Sequence, residues 1–200
     1  MDSYPRSDDK STLAVPLGVA DVMTMGSLVA ALDPADRAEA ARCAVDAWGL
    51  AGVGVRRGMD WVGAMLIAPS AGVPPSHPLV AGGLDGNTAG IILLRTASLL
   101  PALVTGKRLL VALARRLRGQ VAAIEVQGSP TPVLASPLVP SAEWLVRLGF
   151  EPMRYPVNRY RLDCASLAVR LQHHLQSYLS APVRLSTRPA PAGRVGRTGD

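Results

Sequence analysis

The chain has 200 residues, 48% of them hydrophobic, so it is long enough to form one domain with a sizeable core. Its net charge of +6 comes mostly from arginine, since Lys10 and Lys107 are the two lysines, and much of the excess lies after Pro182. No stacking aromatic residues accompany these arginines, so nucleic-acid binding stays a minor alternative. The polar start MDSYPRSDDK is unlike a signal peptide, and charges or prolines interrupt the apolar runs. These features predict a cytoplasmic protein without a membrane span.

Cysteine and histidine spacing gives no indication of a metal site. Cys43 and Cys164 lie far apart in the chain, and we expect two free thiols in a reducing compartment. His77, His173 and His174 do not have metal-ligand spacing, because the last two are adjacent and would point to different faces of a helix. We therefore expect no bound metal.

The first third of the chain contains one well-marked helix. Residues 1–12 are predicted to be disordered, and residues 13–32 combine a short strand with a following helix whose boundary stays open. The segment DPADRAEAARCAVDAWG predicts a helix with Asp33 as its cap, Pro34 at the first position and Gly49 at its end.

A hairpin and a long connection follow this helix. The segment GVGVRRGMDWVGAMLIAP predicts strands at about 51–56 and 61–68, joined by a short turn. Residues 69–88 are too rich in proline and glycine for regular structure. We leave open whether they form a lid over a substrate or a variable insertion.

The second half of the chain alternates strands and helices. The segment AGIILLRT (89–96) is typical of a strand buried on both faces. Gly106 is predicted to open a helix from about Lys107 to Arg118. A strand, a short capped helix and a last strand are predicted in VAAIEVQG, SAEWLVRLG and RYRLD. One three-layer α/β domain over residues 13–165 is the simplest arrangement of these elements.

The C-terminal region is predicted to lie outside this domain. Residues 166–181 form an additional amphipathic helix that could serve as a dimer surface or a docking site for a protein partner. Residues 182–200 form a disordered tail rich in arginine, proline and glycine.

Several segments resemble the GNAT (N-acetyltransferase) superfamily. A helix ending in RLGFEP and followed by RYRLD is similar to the end of that fold, AGIILLRT to its fourth strand and GKRLLVALARRL to its cofactor helix. The proline-rich loop after LIAP is similar to an actinobacterial subgroup. The resemblance covers roughly residues 13–163. It implies an α/β fold with a mixed, mostly antiparallel central sheet flanked by helices, and acetyl-CoA as co-substrate.

The family's pyrophosphate loop is degenerate in this chain. Its pattern Q/R-x-x-G-x-G/A falls on residues 101–106, where Gly106 alone matches and Val104 puts a branched side chain near the phosphates. Backbone N–H groups and the cations of Lys107 and Arg108 remain. The resemblance implies cofactor contacts at Leu93, Leu94, Arg95, Val104, Thr105, Gly106, Lys107 and Arg108.

The catalytic signature is incomplete as well. Leu145 stands where many family members have a tyrosine acid, and Tyr155 or Tyr160 are alternatives for that role. Glu125 is the candidate general base, on the strand that would separate from residues 93–95, and the alternative is a strand glutamate paired with an arginine or facing solvent. Two functions stay open: transfer of an acyl group from acetyl-CoA to an unidentified amine, or a silent pseudo-acetyltransferase that binds a protein partner.

Overall fold

The computed structural model describes residues 14–97 and 102–165. The predicted disordered ends and the predicted helix over residues 166–181 lie outside the described residues. None of the helices in the described part of the chain is long and apolar enough to cross a membrane. In chain order the elements are β1 Ala14–Leu17, α1 Val19–Thr24, α2 Pro34–Trp48, β2 Gly52–Arg57, β3 Asp60–Ala68, β4 Thr88–Thr96, α3 Ala102–Leu117, β5 Ala123–Gln127, α4 Ala142–Leu148, β6 Glu151–Pro152 and β7 Arg159–Asp163.

Within the described residues these strands form one seven-stranded sheet in the order β1-β2-β3-β4-β5-β7-β6. β4 and β5 run parallel, and the other neighbouring strands are antiparallel. The parallel pair needs a crossover connection, which α3 supplies. The mixed, mostly antiparallel sheet confirms the predicted fold class.

Two apolar clusters cover the two faces of the sheet. Alternate side chains of a strand point to opposite faces, and β3 shows this directly. Met65 and Ile67 join a cluster with the leucines of α3 and α4, whereas Ala64 and Leu66 join a cluster with residues of α1 and α2. The protein therefore has the three layers that the element order predicted, with β4 and β5 buried between them.

Local signals in the sequence account for the ends of α2 and α4. The Asp33 side chain accepts a hydrogen bond from the N–H of Ala35, and Gly49 ends α2 in the left-handed region at φ 76°. Ser141 caps α4 by accepting from the N–H of Trp144. These caps and the predicted hairpin of β2 and β3 are confirmed.

The predicted start of α3 is wrong. The helix begins at Ala102 and not near Lys107, so Gly106 lies inside the helix instead of opening it. Gly106 is a poor residue for a helix interior, since glycine has low helix propensity. Thr105 and Gly106 are nevertheless both buried in the helix, so packing of its first turns outweighs the low helix propensity of glycine. The connection from β3 to β4 also contains two short 3-10 turns, at Ser70–Gly72 and Pro78–Val80, where no regular structure was expected.

Candidate functional site

β4 carries a β-bulge at the point where it leaves β5. Its register with β3 shifts by one residue at Ile92, and its pairing with β5 ends where Ile91 lies opposite Val126. Because of the extra residue, Ile92 and Leu93 both join the cluster on the α1–α2 face. A bulge bends its strand and interrupts pairing. β5 therefore does not pair with β4 beyond Ile91, and the position beside the following residues of β4 is called here the opening.

The segment that connects β5 to α4, residues 130–140, is called here the strap, and its two ends lie side by side. The N–H of Ser129 donates to the carbonyl of Pro140 at 2.7 Å, and the N–H of Ala142 donates to the carbonyl of Ser129 at 2.8 Å. Ser129 and Ser141 form an isolated parallel bridge. The strap is therefore a closed loop with a fastened neck, of the kind called an Ω-loop.

The far end of the strap enters the opening beside β4. The N–H of Leu94 donates to the carbonyl of Pro137 at 2.8 Å. Reciprocal hydrogen bonds between Ser136 and Val139, of 2.9 and 3.1 Å, fold this end into a tight turn. Leu138 packs against the cluster on the α1–α2 face. A strap carbonyl thus occupies the position that a paired strand would take against Leu94.

A buried histidine lies at the same opening. His77 is only 3% exposed, and its Nδ1 accepts a hydrogen bond from the N–H of Leu79 at 3.1 Å. The proton of the neutral ring is therefore on Nε2, and this atom makes no well-formed hydrogen bond. Burial lowers the pKa of His77 to about 4, although the nearby backbone of Ile92 and Leu138 opposes the shift. The ring is thus a neutral donor beside the opening.

Nothing in the sequence places His77 at this site, since its spacing from the other histidines excludes a metal ligand set. The signal that marks it is local. His77 stands directly before Pro78, and its ring caps the turn that begins there. Neither this cap nor the spacing in the chain indicates that the turn lies beside β4, because a connection 69–88 of this composition gives no register.

Glu125 lies on β5 opposite Gly90, just before the opening. Its carboxylate is 4% exposed and accepts from two guanidinium groups, Arg159 Nη1 at 3.1 Å and Arg161 Nη1 at 2.9 Å. The pairing with arginine, which the sequence left as an alternative, is confirmed. The role of Glu125 as a general base stays a prediction, and it requires one of these ion pairs to open first.

Arg159 connects this ion pair to the segment that carries His77. The fully buried guanidinium donates to the carbonyls of Leu79, Ala81 and Gly83 at 3.0, 2.8 and 2.8 Å. Hydrogen bonds from a charged donor are stronger than neutral ones. Arg159 therefore holds residues 79–83 against the sheet.

The three strand residues predicted to contact a cofactor lie along the opening or beside it. Leu93 is buried in the cluster on the α1–α2 face. Leu94 directs its N–H at the strap, as described above. The Arg95 side chain donates to the carbonyl of Ser27 at 2.9 Å, so it is tied to the segment after α1. Among these three residues, Leu94 is the one that presents a backbone donor to the opening.

The five predicted contacts on α3 fall in its first two turns and divide between its faces. Val104, Lys107 and Arg108 are exposed, whereas Thr105 and Gly106 are buried. The first amide groups of a helix have no partner inside the helix and can bind an anion. Lys107 and Arg108 place positive charge near that end of α3.

Gly106 is explained by packing between two helices. A Cβ atom at this position would lie 3.0 Å from Cζ2 of Trp144 and 3.1 Å from Cδ2 of Leu148. Both side chains belong to α4, so the missing side chain of Gly106 lets α3 and α4 approach closely. The sequence pattern had suggested that this glycine makes room for phosphates.

Replacing Gly106 by leucine is expected to destabilise the protein in the absence of any ligand. The larger side chain overpacks the contact with Trp144 and Leu148, which costs about 1–3 kcal/mol. Urea unfolding at neutral pH measures the loss. The neighbouring variant Lys107→Leu, at an exposed position of the same helix, should stay within about 0.5 kcal/mol of the original chain. Equal effects of the two substitutions would show that the packing of Gly106 is unimportant.

The side chains near the end of β5 include one tyrosine. Leu145 is buried, and a Cβ atom added to Gly128 would lie 3.0 Å from its Cδ1 and 2.5 Å from Cε2 of Tyr160. Leu145 and Tyr160 therefore both border Gly128. Tyr155 is 77% exposed. Of the two tyrosines considered as acids, Tyr160 is the one placed beside the position of Leu145.

The described residues show neither a metal-binding cluster nor an activated thiol. In residues 14–97 and 102–165, no three histidine, cysteine, aspartate or glutamate side chains lie together so as to hold a metal ion. Cys43 and Cys164 are both free, and burial raises the pKa of each thiol. Neither cysteine is therefore marked as a nucleophile.

No family model matches the chain, and no curated protein matches it. Among solved structures, it is similar to a GNAT family N-acetyltransferase from Escherichia coli in complex with CoA, with a TM-score of 0.48 and 15% identity over 78% of this chain and 83% of that chain. It is also similar to an acetyltransferase of the GNAT family from Staphylococcus aureus, with a TM-score of 0.47 and 12% identity over 76% of this chain and 98% of that chain. For the aminoglycoside acetyltransferase AAC(6')-Ib in complex with coenzyme A, the TM-score is 0.48 and the identity 14%, over 80% of this chain and 98% of that chain.

Proposed function

We propose that this chain is a GNAT-like N-acyltransferase that transfers an acyl group from acetyl-CoA to an amine. The observation that carries the proposal is the opening after the bulge at Ile92, into which Leu94 directs a backbone N–H. A fixed N–H at such a position can donate to a carbonyl of an extended ligand. The sequence segments that resemble the GNAT superfamily support the same function, and the proline-rich loop after LIAP supports the actinobacterial subgroup.

The reaction makes limited demands on side chains. The amine nitrogen attacks the thioester carbonyl carbon, a C–N bond forms, the C–S bond breaks, and the thiolate leaves. Orientation of the two reactants and polarisation of the carbonyl are tasks that backbone groups can perform. Leu94 supplies the N–H on β4, and the first turns of α3, with Lys107 and Arg108, supply donors and positive charge for the phosphates.

Proton transfer is the step of the reaction that needs side chains. The amine loses a proton as it becomes an amide, and the thiolate gains one. Glu125 is the proposed acceptor, which requires its ion pair with Arg161, a residue 36% exposed, to open as the substrate enters. Tyr160 is the proposed donor, because it borders Gly128 beside the position of Leu145. The amine that accepts the acyl group stays unidentified.

A second function, a catalytically silent pseudo-acetyltransferase, is favoured by one specific observation. The strap already occupies the opening and accepts the hydrogen bond of Leu94. The paired state of Glu125 agrees with a loss of chemistry. In this alternative the chain binds a protein partner through residues 166–181, which lie outside the described residues.

Titration with acetyl-CoA tests the proposal. Acetyl-CoA at 100 times its dissociation constant should stabilise the native state by about 2.7 kcal/mol. For a chain of this size the melting temperature should then rise by roughly 5–11 °C. Calorimetry supplies the dissociation constant itself.

A matched pair of variants makes this test specific for α3. Lys107→Ala should weaken binding several-fold, because Lys107 lies near the end of α3 that receives the phosphates. Arg116→Ala removes one positive charge from the other end of the same helix and should leave binding unchanged. If the original chain shows no response at millimolar acetyl-CoA, this donor is excluded, and the second function becomes the better one.

A further inference from the structure

We infer that the strap competes with a ligand for the opening. The strap carbonyl occupies the position of a ligand carbonyl, and the strap leaves when that ligand binds. The inference rests on the proposed function, since the ligand is the extended, amide-containing arm of an acyl-CoA. It adds that this site is regulated by the chain's own segment.

The neck of the strap allows its far end to move alone. Ser129 is fastened to Pro140 and Ala142 by hydrogen bonds that do not involve the far end. Residues 131–136 are exposed, and residues 137–139 are half-buried. The strap can therefore swing out of the opening without breaking the pairing of β5 or the cap of α4.

The contact between the strap and β4 is one-sided. Pro137 offers a carbonyl to Leu94 but, as a proline, it has no N–H to return to β4. A paired strand would exchange hydrogen bonds in both directions along a ladder. The strap therefore acts as a substitute for one ligand carbonyl and does not extend the sheet.

A ligand can offer His77 a better acceptor than the strap does. With the strap in place, Leu94 donates to Pro137, whereas Nε2 of His77, a residue 3% exposed, makes no well-formed hydrogen bond. The backbone of Ile92 and of the strap residue Leu138 lies close to the ring, so withdrawal of the strap opens the space beside it. A buried donor gains most from an acceptor with good geometry. A ligand that places a carbonyl at each of the two donors can therefore compete with the strap.

Excision of the strap tests this competition. Replacing residues 131–139 by two glycines joins Pro130 to Pro140, a distance that the fastened neck keeps short enough for two residues. Calorimetric titration with acetyl-CoA should give a dissociation constant about tenfold lower than that of the original chain, the change expected if the opening is free about 10% of the time.

Point substitutions provide a test that keeps the length of the chain. Leu138→Ser removes the apolar contact that anchors the strap and should also strengthen binding. Leu134→Ser makes the same chemical change at a strap position that is 69% exposed, and should bind like the original chain. If the excised chain fails to fold, this pair decides the outcome.

Hydrogen exchange gives a readout that does not depend on affinity. On saturation with acetyl-CoA the amide of Val139, which donates to Ser136, should exchange faster because the turn is no longer packed beside β4, while the amide of Leu94 stays protected. Equal affinities of the original and excised chains, with unchanged exchange in the strap, would overturn the inference and leave the proposed function standing. Absence of binding by every variant would remove the proposed function and the inference together.

Discussion

Replacing Arg159 by methionine is expected to lower the free energy of unfolding by about 3–5 kcal/mol, the usual cost of breaking a buried ion pair. Arg159 is fully buried, and its guanidinium donates hydrogen bonds both to Glu125 and to three backbone carbonyls in residues 79–83. Methionine fills a similar volume but donates no hydrogen bond. Glu125 then keeps one partner instead of two, and the three carbonyls lose their donor. Urea unfolding of both proteins at pH 7 measures the difference.

The neighbouring arginine on the same strand is the control for this substitution. Arg161 also binds Glu125, but its side chain is 36% exposed, and its second partner, Asp85, is on the surface. Arg161→Met should therefore cost about 1 kcal/mol or less. Losses of equal size in the two variants would show that the buried contacts of Arg159 do not decide the stability of this region.

Acid is expected to destabilise the protein through His77. The pKa of this residue falls from 6.5 to about 4 on folding, so below pH 6.5 the unfolded chain binds a proton that the folded protein excludes. The stability that His77 contributes is therefore complete above pH 6.5 and is lost as the pH falls towards 4. A shift of this size corresponds to about 3 kcal/mol.

The variant His77→Asn isolates this contribution from that of the carboxylates. Asparagine is neutral at every pH in this range, and its side-chain oxygen can still cap the turn at Leu79, as Nδ1 of His77 does. Urea unfolding at several values between pH 7 and pH 4 should show the stability of the original chain falling by about 3 kcal/mol relative to that of the variant. A constant difference over that range would mean that His77 titrates in the folded protein as it does in the unfolded chain.

Much of the fold could be predicted because its signals are local. Asp33 and Gly49 mark the ends of α2, Ser141 marks the start of α4, and the apolar run at 89–96 indicates a strand covered on both faces. The start of α3 could not be predicted in this way. The low helix propensity of Gly106 is offset by a contact with Trp144, and that contact depends on how α3 and α4 cross.

The candidate site was harder to predict than the fold because it is made by segments far apart in the chain. The resemblance predicted Glu125 and Leu94 as site residues, and their roles stay predictions, whereas the pairing of Glu125 with arginine was given as an alternative and is confirmed. His77 and the strap were not identified. The positions of both depend on where connections return to the sheet, and proline-rich segments have no periodic pattern that indicates such a return.

The fastened neck at Ser129 and Ser141 has a consequence for how this protein can diversify. An inserted or exchanged sequence between these two serines leaves the pairing of β5 and the cap of α4 in place, and doubling the length of such a loop costs only about 0.6 kcal/mol in closure entropy. The strap can therefore accumulate substitutions, insertions and deletions while the seven strands keep their register. Related chains should differ most in this segment, and grafting one strap onto another chain should change how tightly the opening binds its ligand without redesign of the core.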